Sequence, residues 1–138
     1  MSLVDVGDRV NQQALEAASG RKLSSLDKSL PEAAAGQSVA DFLAGGPRLS
    51  AFSTPLLVLT DSVLDDNVGQ MAAWCAEHGV GLAPHGKTTM APALWDRQLR
   101  AGAWGITVAT PSQLRVAVDF GMRRIQLANA LVDPAALA

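Results

Sequence analysis

Ala83, Pro84, His85, Gly86, Lys87, Thr88, Thr89, Met90 and Ala91 form the stretch of this sequence with the most chemistry in it. A histidine and a lysine stand two positions apart, at what reads as the end of a short strand. On extended backbone, side chains at i and i+2 share a face. His85 and Lys87 are therefore expected to point into one cavity, with Gly86 between them letting the backbone approach whatever sits there. A lysine so placed can form a Schiff base, and it can equally clamp a phosphate.

The elements around it decide between these. Residues 56–59 are a continuous apolar run, which predicts a strand buried on both faces. Ser62 with Asp65 three positions on resembles a capping box with Asp in place of Glu or Gln. The helix that follows carries Leu64, Val68, Met71 and Cys75 as one apolar stripe, and Gly79 supplies its stop. Residues 80–84 predict a second strand leading to His85 and Lys87. A helix is expected from near Thr89, with Pro92 in its first turn, Trp95 and Leu99 on its inner side, and Gly102 at its end. Residues 104–109 predict a third strand. Thr110-Pro111-Ser112-Gln113 then combines an N-cap, a proline at the first helical position and a capping-box glutamine. That helix closes at Gly121, residues 125–128 predict a fourth strand, and Asp133-Pro134 opens a further helix.

Strands and helices alternating over roughly 20–25 residues per unit indicate an α/β chain built on a parallel sheet. Only about two and a half such units are complete, too few to cover both faces of a sheet or close a barrel. The expectation is the N-terminal piece of a longer protein, with residues 1–53 as an irregular, partly helical leader and 54–138 as the first βα units. In the leader, Val10, Ala14, Leu15 and Ala18 predict a short amphipathic helix ending at Gly20.

Composition narrows the function classes. The chain has 138 residues, 49% of them apolar and 17% charged, with a net charge of −2. A buried core is expected, and disorder throughout is not. No basic stripe stands out, and there are only three tryptophans, three phenylalanines and no tyrosine. Both observations argue against nucleic acid as a partner. No stretch approaches the ~18 apolar residues of a membrane span, and no secretory signal is evident, so a cytoplasmic protein is expected. Cys75 is the single cysteine, which excludes an internal disulfide and predicts a buried inert thiol. His78 is expected to favour a helix C-terminus. Trp74, Trp95 and Trp104 are expected in the core or at an interface.

Gly81 to Thr88 matches the phosphate-loop pattern G-x-x-x-x-G-K-[ST] to the letter. Such a loop needs a strand ending before its first glycine. Residues 74–80 instead continue a helix and then break, and no later apolar strand ends in aspartate. A nucleotide-binding loop is the weaker reading.

Pro84-His85-Gly86-Lys87-Thr88, then Arg97-Gln98-Leu99 and the block from Ala101 to Thr110, resemble the alanine-racemase-like, fold-type III pyridoxal-phosphate enzymes. Within them the chain is most similar to the branch of D-threonine aldolases, D-serine dehydratases and amino acid deaminases. The resemblance extends through Leu127-Ala128-Asn129 and back to Leu26-Asp27-Lys28, with Leu30-Pro31 after them. It implies that the chain is the N-terminal portion of a (β/α)8 TIM-type barrel, incomplete here, which a β-rich domain accompanies in the full protein. It implies a Schiff base between Lys87 and pyridoxal 5'-phosphate; His85, on the shared face, and Asn129, near a strand end, are expected as further cofactor-pocket residues. A lysine must be neutral to attack, and a desolvated site favours that form.

The activity so implied is that of a lyase or deaminase on small D-3-hydroxy amino acids, by loss of the β-hydroxyl or by cleavage between the α and β carbons. Aldolases and dehydratases of this type use a divalent metal. The resemblance puts its ligands in a C-terminal domain absent from this chain, so no metal ligand is assigned. It also implies a homodimer in full-length form and an inactive fragment. Members commonly have a histidine where this chain has Thr89, a departure that bears on the substrate. A non-catalytic pyridoxal-phosphate homeostasis barrel is the alternative.

Overall fold

Ile106–Val108, Ile-Thr-Val in sequence, is the triplet around which the rest is arranged, and each of its residues is buried. The computed structural model describes residues 8–137. In it this triplet is strand β1, pairing in parallel with β2, Ile125–Leu127, in the register Ile106 with Ile125 and Val108 with Leu127. Val108 continues the ladder by accepting from Ala128 N–H at 2.8 Å. Full burial of side chains such as these is worth about 1.5–3 kcal/mol each. Both strands are shorter than expected at 104–109 and 125–128. Gly105 explains one boundary, since a Cβ there would collide with the backbone carbonyl of Arg124 at the entry to β2.

Six helices surround this pair among the described residues: α1 Gln12–Ser19, α2 Val39–Ala44, α3 Asp61–His78, α4 Pro92–Arg100, α5 Pro111–Asp119 and α6 Pro134–Leu137. Local signals explain their ends. Asn11 caps α1 through its side-chain oxygen, and Gly20 follows it. Gly79 ends α3 in the left-handed conformation at φ 62°. Thr110 Oγ1 accepts from Gln113 N–H to cap α5, with Pro111 in the first turn. Trp95 and Leu99 on α4 join Val10, Ala117 and Met122 around β1 as the core.

Four expectations are corrected. Residues 56–59 form no strand, and Leu56, Leu57, Val58 and Leu59 are all exposed. A strand exists only by pairing, and no described segment pairs this one. Residues 80–84 are extended but carry no continuous ladder. They are tied to β1 and the residues just before it by single bonds, Thr107 N–H to Pro84 O and Trp104 N–H to Leu82 O, each 2.8 Å. The capping box at Ser62 does not form, because α3 starts earlier, with Thr60 in the cap position and no side-chain cap bond. Finally, α4 begins at Pro92 rather than near Thr89. Met90 has φ 44°, and Ala91 before the proline is extended at φ −114°, as sterics with the ring require.

The segment before α3 is irregular, with 3-10 turns at Glu32–Ala34 and Leu49–Ala51 and an isolated bridge between Lys22 and Ser38. Its beginning is fastened to the sheet side of the molecule. Asn11 N–H donates to Phe120 O at 2.8 Å, and buried Asp8 accepts from the Arg123 and Arg124 amides at 2.9 and 2.7 Å. Residues 1–7 and Ala138 lie outside the described residues. No described helix is long and apolar enough to cross a membrane.

Candidate active site

The parallel order of the segment 82–86, β1 and β2 sets the geometry around Lys87. His85 bridges to Thr107, and Thr107 is level with Gln126. The three segments therefore end on one edge, bringing Lys87, Ala109–Thr110 and Ala128–Asn129 to the same side. In parallel α/β architectures, ligands gather at this carboxyl edge.

Thr107 fastens the first two segments. Its hydroxyl donates to Ala83 O at 2.7 Å, and its own carbonyl accepts from Gly86 N–H at 2.8 Å. Thr107 is buried, so this hydroxyl belongs to the sheet and not to a ligand. Beyond Gly86 the chain leaves the ladder. Met90 N–H closes back on Gly86 O at 2.9 Å, and residues 87–89 form the turn between.

This turn revises two ideas about the motif. The shared face expected of His85 and Lys87 needs extended backbone through both, and that backbone stops at Gly86. Gly86 itself does not make room for a ligand. A Cβ there would lie 2.6 Å from Trp95 Nε1 and 3.0 Å from its Cε2, so the glycine accommodates the indole beneath it. Trp95 Nε1 is buried there without a hydrogen-bond partner among the described residues.

Lys87 is exposed, not desolvated, and its amine meets no hydrogen-bond or ion-pair partner among the described residues. Its backbone carbonyl accepts from Gln113 Nε2 at 3.2 Å. Gln113 was legible in the sequence only as a local capping residue. Its contact with Lys87 crosses 26 positions and has no local signal. His85 is exposed at the same edge. Asn129 lies beyond β2, exposed, with Oδ1 accepting from Ala130 N–H at 2.9 Å. Thr110 acts as the N-cap of α5, as its position predicts.

The phosphate-loop match lacks the structure it needs. Residues 74–78 are the last turn of α3, no strand precedes Gly81 among the described residues, and the helix after Lys87 begins only at Pro92. The Gly86 amide, which such a loop would aim at phosphate, is bonded to Thr107.

A cavity of about 550 Å³ opens between α3 and the segment 80–84. Leu64, Val68, Met71 and Cys75, the predicted stripe, line it together with Leu82 and Pro84. None of His85, Lys87 and Asn129 borders it. Arg97 of α4 spans to α3 nearby, at 2.6 Å from Asp61 and 2.8 Å from Asp65. Its guanidinium pKa is raised, chiefly by the bond to Asp61. Cys75 is buried, and His78 at the end of α3 stacks on Trp74 with Nδ1 2.8 Å from the Trp74 carbonyl. Of the tryptophans only Trp95 is buried, while Trp74 and Trp104 are about half exposed. No three histidine, cysteine, aspartate or glutamate side chains converge on one point among the described residues.

Comparison with known proteins adds the family context. No family model matches the chain. A curated D-threonine aldolase from Arthrobacter sp is 38% identical over 93 residues, which are 67% of this chain and 24% of the relative. The crystal structure of D-threonine aldolase from Filomicrobium marinum superposes with a TM-score of 0.61 at 32% identity, covering 64% of this chain and 24% of that one. The chain thus spans about a quarter of the length of these relatives. Over that stretch the resemblance carried by the Lys87 motif, to the D-threonine aldolase branch of the fold-type III pyridoxal-phosphate enzymes, holds in sequence and in three dimensions.

Proposed function

We propose that this chain contributes the cofactor-attachment segment of a pyridoxal-phosphate-dependent lyase acting on D-3-hydroxy amino acids. The observation that carries the reading is Lys87. It presents an unpartnered primary amine at the carboxyl edge of three parallel segments, in a stretch similar to D-threonine aldolases. An aldehyde cofactor needs such an amine, so the residues present fit it. When bound, pyridoxal phosphate supplies an electron sink for a bond broken at the substrate α-carbon.

The chain's own residues have separable tasks in this scheme. Lys87 Nζ would hold the cofactor and, as a free amine, would serve as the base at the substrate α-carbon for loss of the β-hydroxyl, or return a proton to that carbon after cleavage between the α and β carbons. His85 and Asn129, at the ends of neighbouring segments, are assigned to the rim of the cofactor pocket. Thr107 and Gln113 act on the backbone, holding the segment from which Lys87 projects. The architecture assigned to the whole protein is an alanine-racemase-like barrel that begins near Val80, assembled as a cytoplasmic homodimer. A divalent metal, where the whole protein uses one, is assigned to residues outside this chain. The chain by itself is expected to turn over neither D-threonine nor D-serine.

The chain has three lysines, Lys22, Lys28 and Lys87, so one experiment tests the assignment. Pyridoxal phosphate is added, borohydride fixes any adduct, and peptides are mapped. The expected result is a pyridoxyl group on Lys87 in preference to the two leader lysines. Label confined to Lys22 or Lys28 overturns the reading. In the whole protein, label on Lys87 without release of glycine or ammonia from D-3-hydroxy amino acids points to a cofactor carrier.

A further inference from the structure

The end of the ladder between residues 82–86 and β1 contains an unusual substitution of side chain for backbone. Thr107 N–H donates to Pro84 O and Thr107 O accepts from Gly86 N–H, each at 2.8 Å. The next rung of a parallel pair would run from Ala109 N–H to Gly86 O. That rung is missing because Gly86 O accepts from Met90 N–H instead, where the chain turns away. The Ala109 N–H is thereby left without its ladder partner, and the Lys87 carbonyl, which a regular strand would turn away from β1, needs a partner in the turn.

The side-chain amide of Gln113 serves both. Its Oε1 accepts from Ala109 N–H at 2.9 Å, and its Nε2 donates to Lys87 O at 3.2 Å. A carboxamide has the same donor and acceptor pair as a peptide unit. It can therefore extend the ladder across the gap. Gln113 is itself held in the first turn of α5, where its N–H bonds Thr110 Oγ1 at 3.3 Å and Pro111 restricts the backbone.

We propose that Gln113 is a positioning residue for Lys87: its side-chain amide replaces the missing peptide rung and fixes the point at which the lysine leaves the sheet. The inference rests on the assignment of Lys87 as the cofactor lysine. A flexible turn would spread the amine over many orientations, and the amide removes that freedom before the cofactor arrives. The two halves of the clamp are chemically separable. Ionised glutamate can accept from Ala109 N–H but cannot donate to Lys87 O, and methionine of similar length can do neither.

The test compares the wild-type chain with Q113E and Q113M by two readouts. Amide hydrogen exchange at Ala109, with Ile106 as the reference for an intact sheet, reports the acceptor half without any cofactor. Reductive labelling with pyridoxal phosphate, read as the ratio of Lys87 to Lys22 label in the same sample, reports the functional consequence. The expected result is Ala109 exchange about five- to tenfold faster in Q113M, the size of one lost hydrogen bond, and unchanged in Q113E. The Lys87-to-Lys22 ratio is expected to fall several-fold in both variants. An unchanged ratio in both, alongside faster Ala109 exchange in Q113M, reduces Gln113 to a cap on β1 and overturns the proposal. Unchanged Ala109 exchange in Q113M removes the clamp itself and overturns it as well. Absence of label from Lys87 in the wild type overturns the cofactor assignment and this role with it, whereas the exchange result still reports whether the clamp exists.

Discussion

The hydroxyl of Thr107 donates to the carbonyl of Ala83 at 2.7 Å, locking β1 to the segment that leads into Lys87. Thr107 is buried, so no water replaces this bond when it is lost. Thr107→Val keeps the shape and the β-branching but leaves the Ala83 carbonyl unpaired. The expected loss of stability is about 1–3 kcal/mol. It is read as a lower urea midpoint at unchanged slope; an unaltered midpoint contradicts the bond's importance.

Gly86 is expected to tolerate no side chain. The Cβ of Gly86→Ala would meet the Trp95 indole at 2.6 Å, so the ring or the backbone must shift. Overpacking of this kind costs about 1–3 kcal/mol. Trp95→Phe in the same molecule removes the obstructing nitrogen and should recover part of the loss. A double-mutant cycle measures this, and strictly additive effects would show that the two residues do not press on each other.

Asp8 joins the start of the described chain to the turn before β2 through the Arg123 and Arg124 amides. Hydrogen bonds to a charged group contribute about 1.5–3 kcal/mol. Asp8→Ala is therefore expected to release α1 from the sheet side. Limited proteolysis should then cleave residues 9–20 faster than in the wild type, and an identical digestion pattern would refute the tether.

The leader carries its own pH dependence. Asp27 accepts from Arg21 at 2.7 and 3.0 Å and from the Ser24 amide at 2.9 Å. The bond to Arg21 is the largest cause of its pKa falling from 3.8 to about 2. A lowered carboxylate pKa stabilises the folded form above the unfolded value and loses that contribution as acid protonates it. The contact is thus complete above pH 3.8 and disappears as the pH falls through about 2. The pair lies at the surface, so the effect is local. A carbon NMR titration of the Asp27 carboxyl in the folded chain checks it, and a midpoint near the ordinary aspartate value rules the contact out.

The end of α3 and the start of α5 are fixed by neighbours in sequence, and the sequence displayed both. Gly79 needed only its freedom at positive φ, and Thr110-Pro111 needed only each other, so α3 and α5 stop and start as expected. The apolar residues of β1 and β2 were visible too, although both strands are shorter than the runs that announced them. What depends on distant partners was not legible. The run at 56–59 has strand composition, but composition cannot supply the neighbour that would make it one. At the site, Lys87 stood out by its motif, while the roles of Gly86 and Gln113 depend on Trp95 and on a missing ladder rung. Neither arrangement leaves a periodic trace. Thr89, Met90 and Ala91 misled the expected start of α4 because helix propensity there yields to the tight turn and to the proline that follows it.

The bare ribbon from Leu56 to Leu59 has a bearing on handling the chain in solution. Leu57 is 88% exposed, and its neighbours Val58 and Leu59 are each more than half exposed. Four consecutive greasy side chains on open backbone are a template for self-adhesion, and a net charge of −2 offers little repulsion against it. This short tract is a contiguous exposed apolar patch: a charged residue in place of Leu57 should raise the chain's solubility limit without disturbing the sheet that carries Lys87.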